Sequence, residues 1–386
     1  MAECNAPEIS ERRPECMEEL LRITVRKKAS DLHLTHGEPP VFRIRGDLMP
    51  MSCGPLHTDE IERMLHEVTS PRHQSVLKER RSVDFAVSHP DVGRFRFAAF
   101  YQRGALSVAI RLLAAGMPDF ESLGLPKCIA RVASFRDGLV LVTGVTGSGK
   151  STTLATVIDL INRTERKNII TVEDPIEYVH QNRNCIIHQR ELHTDVPSFA
   201  DALRDSLRAD PDVILVGEVR DLETMRTAIM AAETGHLVFS TLHSKDALSS
   251  VNRMVGAFPA GEQPQVRQQL ASTLRAVISQ RLLPNAAQTG RVPAVEIMFC
   301  TSGIANLIRQ AKDDMIYSAI ETGGQDDMQT MEQSLINLAD LAKISTETAL
   351  AAAKNKALMQ KRLAARGILG QGFPGNGDFA GAGRRQ

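Results

Sequence analysis

The chain has no tryptophan, an absence that by itself excludes little. It also has no net charge. Its 46 basic residues are matched by 46 acidic ones, so the basic excess of a bulk nucleic-acid binder is missing, although balance leaves room for a local basic patch. The six cysteines stand far apart, at 4, 16, 53, 128, 185 and 300, and none forms a CxxC pair. A disulfide framework or zinc site needs clustering or paired spacing, so isolated reduced thiols are expected. The opening residues are polar and charged, which excludes a secretory signal from the expectations. No run approaches the roughly 18 apolar residues of a membrane-crossing helix, and any membrane association is expected through a partner.

Apolar residues make up 42% of the 386, enough for full cores. One core rarely grows past about 250–300 residues, so two or three domains are expected. Apolar spacing predicts a helix over 16–28, and polar–apolar alternation predicts strands at 30–35, 41–45 and 48–51. A helix at 58–68 and strands at 83–87, 94–101 and 105–112 complete an α+β segment of antiparallel hairpins. A Gly-Met-Pro-Asp stretch at 116–119 then suits a short linker. Beyond it the apolar runs become continuous, at 139–143, 169–172, 213–216 and 237–241, with helical stretches between them. That pattern indicates a parallel sheet covered on both faces, hence an α/β domain. Residues 262–283, 303–312 and 328–342 look helical. Residues 345–366 are expected to form one exposed helix, and the glycine-rich end from 367 to 386 a disordered tail. The division is therefore 1–115, 116–345 and 346–386.

The most specific signal is Gly144-Val145-Thr146-Gly147-Ser148-Gly149-Lys150-Ser151, which fits GxxxxGK[ST] with an apolar strand before it and a helical pattern from Thr152 after it. Glycines let backbone N–H groups turn inward around phosphate oxygens. The helix N-terminus adds about half a positive charge, Lys150 supplies a whole one for the β/γ oxygens, and the Ser151 hydroxyl suits Mg²⁺. Hydrolysis further requires a carboxylate to orient water. Glu218 follows the strand 213–216, with Gly217 where an aspartate is usual, so metal support falls to Glu218 or to acids elsewhere. Glu173, Asp174 and Glu177 form a second acidic group at another strand end, with Pro175 ending the strand.

Together these stretches resemble the secretion-type ATPases of type II secretion and type IV pili. Residues 207–221 are similar to that family's signature with its Gly-Glu Walker B, 173–177 to its Asp box, and 234–243, with His236 and His243, to its His box. Neither an extra N-terminal domain nor a four-cysteine zinc motif is seen, so the resemblance narrows to the retraction branch, PilT and PilU. Residues 303–309, 323–324 and 328–330 look like PilT, while 100–103 and the added tail lean toward PilU. The resemblance implies a RecA-like P-loop core behind a PAS-like N-terminal domain. It further implies a cytoplasmic homohexamer using ATP and Mg²⁺, peripheral to the inner membrane through a PilC-like platform protein, with a PilT-like motor as an alternative partner. Nucleotide is then expected between the two domains, near a neighbouring subunit, faced by arginines of the N-terminal domain. Arg94, Arg96 and Arg111 lie on its predicted strands. A guanidinium fork suits a transferring phosphoryl group, and Arg94 and Arg96, two apart, share a strand face. His236 and His243 flank the strand 237–241 and are candidates for sensing phosphate state. Arg220 and Asp221 are expected to form or switch an ion pair, and 345–366 to dock a partner or be simply solvated. An ATP-driven retraction motor is the reading this supports. Its rivals are an accessory PilU-type subunit acting by docking on a second motor, a pilus-extension or secretion ATPase, and a nucleic-acid translocase on the same core; no nucleic acid is expected.

Overall fold

The computed structural model describes residues 12–113 and 116–368. They form two compact units. The first takes the described residues up to Met117 together with Val172–His180 and Gln189–Ser198; the second takes Pro118–Thr171, Gln181–His188 and the described residues from Phe199 onward. The first unit therefore recruits two stretches from the middle of the chain, which a division at 115 assigns to the ATPase domain.

In the first unit, β1 (Asp31–Thr35), β2 (Val41–Ile44), β3 (Asp47–Pro50), β4 (Ser82–His89), β5 (Gly93–Gln102) and β6 (Ala105–Leu112) make one sheet in the order β3-β2-β1-β6-β5-β4. Every pairing in it is antiparallel. Alternation decides the faces. Phe95, Phe97 and Ala99 of β5 are buried, and they join Leu32, Leu34, Phe42 and Ile110 in a core shared with Met17, Leu20 and Leu21 of the helix Met17–Arg26 and Ile61, Met64 and Leu65 of the helix Thr58–Val68. The opposite face of β5 carries Arg94 and Arg96. A further helix, Pro71–Arg80, was not foreseen. It buries only Leu77, so it has almost no apolar stripe to detect, although Ser70 and Pro71 are ordinary start signals.

The second sheet is made of β7 (Gly138–Thr143), β8 (Asn168–Glu173), β9 (Ile186–Glu191), β10 (Val213–Val216), β11 (Leu237–Leu242), β12 (Leu274–Pro284) and β13 (Arg291–Phe299), in the order β13-β12-β7-β11-β10-β8-β9, and belongs to the second unit except for the ends of β8 after Thr171 and of β9 after His188. β12, β7, β11 and β10 run parallel, and β13 closes antiparallel to β12. Every residue of β7 and β11 is buried, as strands covered on both faces must be. The expected helix over 262–283 is corrected. Only Gln263–Thr273 is helical, and Leu274–Pro284 is β12. Lying between β7 and β13, this strand is buried on both faces from Ala276 to Gln280 and shows none of the alternation that separates strand from helix.

The single exposed helix at 345–366 is corrected too. Two helices, Thr346–Ala352 and Lys356–Ala365, are separated by extended Ala353 and capped at Asn355. Ala349, Met359 and Leu363 are buried in an apolar cluster with Ala294, Leu335 and Ile344, so this segment packs as part of the second unit. The expected disordered tail lies mostly outside the described residues.

Candidate functional site

The phosphate-type loop leaves the C-terminal end of β7 and enters the helix Lys150–Thr164. Gly144, Gly147 and Gly149 all have positive φ, at 147°, 78° and 91°. At Gly144 the need for glycine is also steric. A Cβ there would lie 2.5 Å from Ser148 Oγ and closer still to the Gln280 carbonyl oxygen. Gly149 is the helix N-cap and no side chain caps the helix, so the first-turn amides, which no intrahelical carbonyl can reach, face the loop. Lys150 Nζ donates to the carbonyls of Gly144 and Val145 at 3.0 and 3.1 Å, curling the loop on itself. Val145, Thr146, Gly147 and Ser151 are exposed, whereas Ser148 is buried. An uncapped helix start, a glycine-lined cradle and a nearby cation are the components of an anion site, and they fit a nucleotide phosphate.

Glu218 stands just past β10, whose neighbour β11 pairs in turn with β7. Its carboxylate accepts from Arg220 at 2.7 Å and lies 3.5 Å from His243 Nε2. Burial works to raise the Glu218 pKa, but the Arg220 hydrogen bond and the charges of Arg220, His243 and Lys150 hold it below the usual carboxylate value. Two side-chain bonds tie the end of β10 and the loop to β11, Thr241 Oγ1 donating to the Gly217 carbonyl at 2.6 Å and Ser240 Oγ to the Val216 carbonyl at 2.7 Å, and the Val219 amide adds a main-chain bond to the Thr241 carbonyl at 3.3 Å. The expectation paired Arg220 with Asp221, and the contacts described for the two run elsewhere. Arg220 goes to Glu218, and Asp221 caps the helix Leu222–Glu233 through the Thr224 amide at 2.8 Å.

In the first unit the arginines each meet a carboxylate. Arg94 pairs with buried Glu191 and donates through Nε to the Ile176 carbonyl at 2.7 Å. Glu191 also accepts from the Ile176 amide at 3.2 Å. Arg94 and Glu191 together therefore fasten the acidic loop at 173–177. Arg96 pairs with Asp84, with the charges of Asp174 and Glu177 also felt there, and these raise its pKa. Arg111 donates to Asp31 at 2.8 Å. Sheet register puts Arg43, Asp31, Arg111 and Arg96 side by side in one cross-strand row. Glu173 accepts from Gln189 Nε2 at 3.1 Å.

Of the residues expected from sequence, the second unit brings together Lys150, Glu218 and His243, while the first brings together Arg94, Arg96 and the 173–177 acids. His236 is not brought to the loop. It precedes β11, at the end opposite Thr143 and Leu242, about 20 Å away at the usual strand rise. There its ring contacts the Ala231 carbonyl at 3.0 Å and Thr234 Oγ1 at 3.1 Å, a closing role at a helix end. Glu191, Asp84, Ser279 and Gln280 were missed. The last two sit in the stretch misread as helix, where a Ser-Gln pair looks like a solvated face; placed on a central strand, the same pair would have been flagged as buried and polar. Among the described residues no helix is long and apolar enough to cross a membrane.

Residues 14–367 match the family described as type II/IV secretion system protein. The chain is 45% identical over 336 residues to a type IV pilus retraction ATPase, PilT, of Pseudomonas aeruginosa, covering 87% of this chain and 97% of that one. It is 38% identical over 334 residues to the type IV pilus ATPase PilU of the same organism, covering 86% and 87%. A crystal structure of the pilus retraction motor PilT with bound ADP superposes with a TM-score of 0.84 at 44% identity, covering 90% of this chain and 99% of that one. These identities run against the lean toward PilU taken from residues 100–103 and the tail.

Proposed function

This chain belongs to the type II/IV secretion system protein family, as an ATPase of its PilT/PilU type, and from that premise we propose that it drives type IV pilus retraction by hydrolysing ATP. The observation that carries the reading is the meeting of Lys150, Glu218, Arg220 and His243 at the loop end of a parallel sheet.

Lys150 exchanges its two loop carbonyls for phosphate oxygens, which frees the loop to close. Glu218, held ionised by Arg220, orients the attacking water through a hydrogen bond. Mg²⁺ would be held by the Ser151 hydroxyl with Glu218 in support; bound there, it neutralises phosphate charge. Among the described residues no group of three or more His, Cys, Asp or Glu could hold a metal ion, which suits a cation that takes most of its ligands from phosphates and water. Glu173 and Glu177 support the acid chemistry. Arg96 and Arg111, which are more exposed than Arg94, exchange Asp84 and Asp31 for the transferring phosphoryl group, and truncating Arg96 should cut turnover more than nucleotide affinity. Arg94 is committed to Glu191 and Ile176, and its part is to hold the acidic loop in place.

The assembly that follows is a cytoplasmic homohexamer acting on a membrane platform protein, with no nucleic acid involved. Deleting the gene and scoring pilus number and twitching, with complementation by wild type, Lys150→Ala and Glu218→Ala, tests the reading. Surplus pili that fail to retract, rescued by wild type alone, support it. Loss of pili would instead indicate an extension ATPase, and retraction that persists unless a second motor is also removed would indicate an accessory subunit.

A further inference from the structure

β12 runs beneath the phosphate loop, and two consecutive polar residues of it bolt down the loop's two ends. Ser279 Oγ and Thr143 Oγ1, at the loop's entry, are 2.8 Å apart. Gln280 Nε2 donates to Thr153 Oγ1, in the first turn of the exit helix, at 2.9 Å. Ser148, Thr153 and Gln280 are each only 2% exposed.

Two side-chain atoms in this small region are buried without a hydrogen-bond partner: the Ser148 hydroxyl oxygen and the Gln280 amide oxygen. One residue has a proton to give and the other an acceptor to receive it. The Ser148 hydroxyl lies beside the main chain of Gln280, since Ser148 Oγ and the Gln280 main-chain oxygen both crowd the point where a Cβ on Gly144 would sit. Buried polar atoms are rarely left unmatched, and where they are, a second state of the site is a physical explanation.

We infer that Gln280 is a positioning residue for the phosphate loop: when the loop closes on phosphate, the Ser148 hydroxyl donates to Gln280 Oε1 and locks the loop to β12. The amide then holds loop and exit helix at once, its nitrogen on Thr153 and its oxygen on Ser148. Nucleotide binding is thereby conveyed to β12 and its partner β13 without a change in the catalytic carboxylate. The inference rests on the reading of 144–151 as the nucleotide site.

The test is a double-mutant cycle on the full chain with Ser148→Ala, Gln280→Met and both together. It reads the affinity for a fluorescent ADP analogue and the melting temperature with and without ADP. Each single change should weaken nucleotide binding about five- to tenfold, the worth of one hydrogen bond. The double variant should be no weaker than the weaker single. Without nucleotide, Ser148→Ala should melt no lower than wild type, since it deletes an unmatched group. Multiplying penalties in the double variant would overturn the proposal and assign the Ser148 hydroxyl to the phosphate itself. A fall in nucleotide-free melting temperature for Ser148→Ala would overturn it as well. Gln280→Asn, which withdraws the amide by one methylene, replaces Gln280→Met if that variant does not fold. If wild type itself shows no ADP-dependent rise in melting temperature, the nucleotide site has failed rather than the lock.

Discussion

Glu296 offers a sharp test of how the second unit is held together. It lies on β13 opposite Ser279 and is almost fully buried. Its carboxyl accepts from the Ala247 amide at 2.7 Å and the Met331 amide at 3.4 Å, the first residues of the helices Ala247–Gly256 and Met331–Asp340. Burial is the largest influence. Opposed by those two amides but reinforced by the charges of Asp246 and Glu332, it pushes the carboxyl from 4.5 up to about 7. Between those values the folded chain keeps a proton that the unfolded chain has released. This contribution to stability is therefore complete below about pH 4.5 and is lost as pH rises to about 7. At about 1.4 kcal/mol for each pH unit, the loss is on the order of 3 kcal/mol. Glu296→Gln removes the titration. Its single carbonyl oxygen can serve one amide, while its NH₂ opposes the other, so at pH 5 the variant should be less stable than wild type by about 1–3 kcal/mol. Toward pH 8 the two proteins should converge. Circular dichroism melts at pH 5, 6, 7 and 8 measure this in a chain without tryptophan, and all other titrating groups cancel in the difference. Parallel curves for the two proteins across that range would refute the reasoning.

Other perturbations follow from the same packing. Arg94→Ala takes from buried Glu191 its guanidinium partner and should destabilise the first unit by about 3–5 kcal/mol; adding Glu191→Gln should restore part of the melting temperature. Gly144→Ala should abolish binding of a fluorescent nucleotide, because its Cβ collides with main chain. Gly147→Ala meets nothing within 4 Å, carries only the strain of its positive φ, about 1–2 kcal/mol, and should bind with a modest loss. Met359→Ala should cost about 2–5 kcal/mol in thermal or denaturant unfolding, and deletion of 346–386 should lower the melting temperature of the second unit instead of leaving it intact.

Much of this architecture is legible in sequence because local rules and tertiary packing agree there. The strands of the first unit alternate visibly, and the loop at 144–151 sits between a continuous apolar strand and a helix. Legibility fails where burial erases periodicity. β12 is buried on both faces and so lacks the alternation of a strand, which hid Ser279 and Gln280. The helices after Ser345 looked solvated because their buried residues, Ala349, Met359 and Leu363, are few and widely spaced. The pairing of Arg94 with Glu191 is invisible for a different reason. It joins residues far apart in the chain, and nothing local to either signals the other. His236 shows the converse, since proximity in sequence to His243 suggested shared work, while the length of one strand separates them.

The central claim is that Glu218, held ionised beside Lys150, turns a phosphate-binding loop into a hydrolytic site. The most direct measurement is steady-state ATP turnover with Mg²⁺, paired with nucleotide affinity, for wild type, Glu218→Gln and Lys150→Ala. Glu218→Gln should bind nucleotide within a few-fold of wild type while losing about 10²–10⁴ in turnover, and Lys150→Ala should lose binding itself. Turnover by Glu218→Gln within a few-fold of wild type would contradict the account.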